Sequence, residues 1–120
     1  MFDNTHKTEA ELSPLEELAF PFLQAAVRLD TVKQNLDHCD EMLWMVDSNA
    51  ALWTYFRGHV SEHFQNVPRE TTELLDRISD FMTKASIVLR REPSEELVDR
   101  MIQLNLNFSE QILSLNGTKH

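Results

Sequence analysis

The sequence predicts an all-α protein, a small antiparallel bundle of about four helices. Two observations carry that prediction. Apolar residues recur at three- and four-residue steps through most of the 120-residue chain. Glycine occurs only twice, at Gly58 and Gly117, and turn clusters are scarce, which argues against an all-β chain or a nucleotide-binding α/β chain. At this length one domain is expected, with residues 1–12 as a flexible N-terminal arm, 13–116 as the bundle and 117–120 as a flexible tail.

The first helix starts at Ser13-Pro14-Leu15-Glu16, where Ser13 caps, Pro14 suits the first helical position and Glu16 completes a capping box. Its stripe is Leu15, Leu18, Phe22, Ala25, Ala26, Leu29, Val32 and Leu36. Pro21 sits inside that stripe and removes a backbone donor, so a kink or break is expected there. The second helical region runs from about Cys39 to Phe64, with Asp47-Ser48-Asn49 in its middle as a candidate cap or break. Val46, Ala50, Trp53, Phe56, Val60 and Phe64 form its core face.

Val67-Pro68-Arg69-Glu70 opens the third helix, whose expected stripe is Leu74, Ile78, Phe81, Met82, Ala85, Val88 and Leu89. The fourth, about Ser94 to Leu115, follows Glu92-Pro93 and ends near Gly117. Short connections make neighbouring helices antiparallel.

The fourth helix carries two apolar rows. Leu97, Met101, Leu104, Phe108, Ile112 and Leu115 form a regular core seam. Val98, Ile102, Leu106 and Leu113 lie beside it, and together the rows span roughly 200° of arc. Either the helix sits centrally and buries both rows, or the second row is an exposed groove wall awaiting a partner. The second row, with Asn105 inside its arc, is taken as the candidate partner surface. Trp44 and Tyr55 lie roughly opposite the core face of the second helix, where they either pack on a second side or anchor a partner.

Charge and composition narrow the function classes. The net charge of −9 repels phosphates and anionic lipid, so no direct nucleic-acid contact is expected. The single cysteine, Cys39, allows no internal disulfide. No stretch reads as a signal peptide or a membrane span, and a cytoplasmic protein is expected.

His59-Val60-Ser61-Glu62-His63 spells a zinc-peptidase pattern, with both histidines on one helical face. A catalytic zinc needs a third ligand, which His38, Cys39 or Asp40 would supply only by a fortunate fold. The simpler reading is a pair of histidines bordering the core face. With no glycine-rich phosphate loop and only scattered carboxylates, no enzyme, cofactor or metal site is expected.

Asn49-x-x-Leu52-Trp53-x-x-Phe56 resembles a segment of the FlaF family of alphaproteobacterial flagellar biosynthesis regulators. The likeness continues through Pro68, Leu75, Ile78-Ser79-x-Phe81-Met82 and Ser86-x-Val88-Leu89, and closes on Ile102-x-x-Asn105 and Ile112-Leu113. It covers most of residues 13–115, including Ser13-Pro14. Pro21 departs from the family pattern, as does Ala85-Ser86, where members often carry His-Thr.

The resemblance implies a non-enzymatic protein that binds flagellin as a secretion chaperone and couples its synthesis to export, alongside the regulator FlbT. A self-associating adaptor, with the second row as a homodimer seam, is the alternative.

Overall fold

A computed structural model of the chain describes residues 13–37, 39–64 and 66–117, leaving aside the side chains of Cys39, Ser61, His63 and residues 115–117. The N-terminal arm and the residues after Gly117 lie outside the described part. Four helices follow one another: α1 (Pro14–Lys33), α2 (Cys39–His63), α3 (Arg69–Arg91) and α4 (Glu95–Gly117). No strand occurs among the described residues.

The helix starts follow local chemistry. At α1, the Ser13 hydroxyl accepts from the Glu16 N–H at 3.1 Å, and the Glu16 carboxylate accepts from the Ser13 N–H at 2.8 Å, closing the capping box. At α4, the Leu97 N–H donates to the Ser94 hydroxyl at 3.1 Å. Between α2 and α3, Asn66 takes the left-handed conformation, φ 53°, which asparagine tolerates better than most residues.

Neither candidate break divides its helix. α1 runs unbroken through Pro21, where the chain forgoes one interior hydrogen bond and the flanking apolar residues keep their packing: Ala19 and Phe22 are buried on either side. α2 passes through Asp47-Ser48-Asn49 without a break, and Asp47 and Asn49 use their side chains in tertiary contacts. Asp47 accepts from the Ser86 hydroxyl and pairs with Arg90, both on α3.

In the bundle α1 lies beside α4 and α2, and α2 beside α3, whereas α3 and α4 barely touch. Lys33 at the end of α1 pairs with Asp99 near the start of α4 at 2.9 Å, so these two run antiparallel. The core centres on Phe22, whose ring meets Trp53 at 5.0 Å, Phe56 at 5.5 Å and Phe108 at 4.9 Å, all edge to face.

Below that cluster lies a buried polar chain. The Trp53 indole N–H donates to Asn105 Oδ1 at 2.7 Å, Asn105 Nδ2 donates to Asn49 Oδ1 at 2.8 Å, and Asn49 Nδ2 donates to the Met82 sulfur at 3.1 Å. Both asparagines are essentially without solvent exposure. Among the described residues no buried side-chain nitrogen or oxygen lacks a partner.

Candidate functional site

The face that α4 turns inward runs between its two apolar rows. Val98, Met101, Ile102, Asn105, Ser109 and Ile112 are buried. Asn105 uses its amide within the core, and the Ser109 hydroxyl donates to the Leu106 carbonyl of its own helix at 2.8 Å. The expectation that the second row forms an open groove wall is therefore corrected. Val98 and Ile102 are core residues and Asn105 is fully engaged inside the protein. Leu106 is half-buried, and only Leu113 remains exposed. The reason is that α4 seats chiefly on α1, and that contact rotates the second row inward.

The rotation leaves the other flank open. Leu97, Leu104 and Phe108 of the first row are half-buried, and Leu104 and Phe108 line the gap toward α3. On α3 a matching shift occurs. Its buried line is Leu75, Ser79, Met82, Ala85, Ser86 and Leu89, whereas Ile78 and Phe81 are only half-buried and Leu74 and Val88 are exposed. Ser86 turns inward because Asp47 receives its hydroxyl, and the Ser79 hydroxyl lies 3.5 Å from that of Thr54. Met82, Ala85 and Leu89 of the expected stripe are thus buried, while Leu75, Ser79 and Ser86 take the inward places expected of Leu74, Ile78 and Val88, and Phe81 lines the gap between α3 and α4.

That gap holds two cavities in one line. The first, about 400 Å³, is bounded by Thr71 and Leu75 of α3, Phe108, Gln111 and Ile112 of α4, and Phe56, Val60 and Phe64 at its floor. Val67 and Pro68 of the connection close its end. Among the described residues that line it, Thr71 and Gln111 carry the polar side chains. The second, about 540 Å³ and more open, lies between Phe81 of α3 and Leu104 of α4, with Glu96, Asp99, Arg100, Gln103 and Asn107 around it. Residue numbers rise along α3 as they fall along α4, as an antiparallel pair requires. Together the cavities follow the helix pair, the first largely apolar, the second with Phe81 and Leu104 set among the polar and charged side chains of α4. A fifth helix laid into such a trough would complete the packing that α3 and α4 do not supply to each other.

Trp44 and Tyr55 are 59% and 60% exposed, on the outer face of α2 and away from the seam. Arg28 lies over the Trp44 ring, 5.9 Å from its centroid. Tyr55 stacks on His59, with centroids 4.1 Å apart and planes 20° apart. His59 Nδ1 lies 2.8 Å from the Tyr55 carbonyl oxygen, which only accepts, so that nitrogen carries the proton. Its other ring nitrogen lies 4.0 Å from Glu62. Among the described residues no three His, Cys, Asp or Glu side chains converge on a point that would hold a metal ion.

No family model matches the chain, and no curated protein or solved structure matches it either. No helix among the described residues is long and apolar enough to cross a membrane.

Proposed function

We propose that this chain is a non-enzymatic client-binding protein of the FlaF type. In this reading it receives an amphipathic helix of flagellin in the α3–α4 seam, keeps it from assembling in the cytoplasm and couples its synthesis to export, with FlbT as a second partner. The observation that carries the reading is the seam itself. A four-helix chain in which two neighbouring helices scarcely pack against each other, with a largely apolar cavity at one end of the gap between them, has the physical equipment for helix-in-groove binding. The net charge of −9 favours a client whose polar face is basic and keeps the open apolar surface soluble. The motif residues Asn49, Trp53 and Asn105, which carry much of the family likeness, lie in the polar core rather than in the trough. They support the reading by shaping the scaffold.

The test is capture of purified flagellin by the purified chain, compared with Phe81→Asp and Leu104→Asp. Binding that falls at least tenfold in both variants, while Tyr55→Ala binds normally, supports the seam. Unchanged binding in the two aspartate variants rejects it.

Phe20 and Val27, 47% and 67% exposed and one heptad apart on α1, favour a second reading. There the chain is a self-associating adaptor that acts on flagellin expression through another protein. Light scattering that gives a monomer at every concentration removes this alternative.

A further inference from the structure

We propose that two copies of this chain pair through α3, antiparallel across a two-fold axis, so that each copy's α3 lies along the other's α3–α4 gap. The pairing does not depend on the client reading, and it uses a different face from Phe20 and Val27.

The first argument is a mismatch between pattern and burial. α3 carries two neighbouring lines, each with alternating four- and three-residue steps. Leu75, Ser79, Met82, Ser86 and Leu89 pack into the bundle, although two of them are serines. Leu74, Ile78, Phe81, Ala85 and Val88 are apolar throughout, yet Leu74 is 43% and Val88 47% exposed, and Ile78 and Phe81 are half-buried. Such steps average about 3.5 residues, the period at which two helices hold one apolar line against another along their length. The bundle therefore buries the line that contains serine and leaves much of the wholly apolar one for a second helix of matching period.

Charge identifies that helix as another α3 and fixes its direction. Residues 69–80 carry four acidic and two basic side chains, whereas residues 81–91 carry three basic and no acidic ones. An antiparallel copy sets the negative half of one helix against the positive half of the other, and a parallel copy sets like against like. The exposed row beside the apolar line shows the same asymmetry: it begins with Glu70 and ends with Lys84 and Arg91. Centred between Ile78 and Phe81, the antiparallel alignment places Glu70 beside Arg91 of the other copy at both ends. It also stacks Ile78 on the other Phe81 and Leu74 on the other Ala85, large against small.

Area is the third argument. α3 and α4 have 23 residues each and present a face about 34 Å long and 20 Å wide. Two such faces cover roughly 1,400 Å² in total, within the range of specific, stable interfaces.

Sedimentation equilibrium tests the pairing. The mass of the full chain is expected to rise from 14.0 kDa toward twice that value with concentration. The midpoint is expected on the order of 10 μM. Val88→Asp, at an exposed position and checked for folding by circular dichroism, should raise the dissociation constant about a hundredfold. Val27→Asp on α1 should leave it unchanged. Glu70→Arg and Arg91→Glu should each weaken pairing about tenfold, and the double variant, with both charges exchanged, should restore it. A chain that stays monomeric at every concentration overturns the proposal. So does a dimer that Val27→Asp abolishes and Val88→Asp leaves intact, which would place the contact on α1. Failure of the double exchange to restore pairing overturns the antiparallel arrangement.

Discussion

The indole N–H of Trp53 and the side-chain oxygen of Asn105 meet at 2.7 Å in a site from which solvent is excluded, tying α2 to the diagonally placed α4. The asparagine's other end donates to Asn49, so one amide satisfies two buried groups at once. Replacing Asn105 by alanine leaves the Trp53 donor and the Asn49 oxygen unpaired. At about 1–3 kcal/mol for each orphaned group, a loss of roughly 3 kcal/mol is expected in urea unfolding. A cycle pairing Asn105→Ala with Trp53→Phe should show a coupling of about 1–2 kcal/mol, because the phenylalanine has no donor to strand. Asn105→Asp gives a pH signature. Its ionised carboxylate can accept from Trp53 but cannot donate to Asn49, and burial raises its pKa. The deficit relative to the parent chain should therefore shrink as pH falls and the carboxyl regains its proton.

The rotation of α4 is tested by contrasting its two rows. Val98→Asp places a charge where exposure is 0% and should abolish cooperative folding in a circular dichroism melt. Leu104→Asp, at the half-buried rim of the seam, should remain folded with a midpoint only a few degrees lower. Equal damage from both substitutions would contradict the assignment of faces.

Lys33 provides a linkage test. The hydrogen bond that the Lys33 ammonium donates to Asp99, followed by the charge of that carboxylate, raises the Lys33 pKa above the ordinary 10.5. A raised lysine stabilises the fold fully below its unfolded pKa and loses that contribution as pH climbs through the folded value. Thermal midpoints should accordingly fall as pH rises past about 10.5, and Lys33→Met should show less of that alkaline decline. Because the pair is solvated, added salt should weaken it further.

Gly58 lies inside α2 with nothing within 4 Å of where a Cβ would stand, and its φ is not positive. Gly58→Ala should stabilise the protein by about 0.5–1 kcal/mol through helix propensity and a less disordered unfolded chain. In the opposite sense, Ser13→Ala removes half of the capping box and should cost about 1 kcal/mol. Both are measurable as shifts in the urea midpoint.

The helices themselves were legible in the sequence, since periodicity and the Ser13 capping box place them within a few residues. The inward placement of Trp53 and Phe56 was legible as well, because both stand on a regular apolar line. What escaped was the rotation of α3 and α4. On each, polar residues occupy the deepest positions: Ser79 and Ser86 on one, Asn105 and Ser109 on the other. A pattern built from apolar letters alone swings away from such positions toward the rims. The spacing of Asn49, Trp53 and Asn105 was the one available hint that polar groups converge inside, and Asn105 was instead read as part of a surface. The seam was illegible for a related reason, because it arises from the failure of two helices to touch, which no single segment announces.

The close pairing of α1 with α4 joins the first helix of the domain to its last. During synthesis, Ala19, Phe22, Ala26 and Leu29 must therefore wait in water until Ile112 and its neighbours leave the ribosome, while α2 and α3 can already associate. Such non-local closure slows folding relative to a bundle whose strongest contacts are sequential. A truncation that stops short of α4 should yield not a smaller stable bundle but a sticky helical trio prone to aggregate.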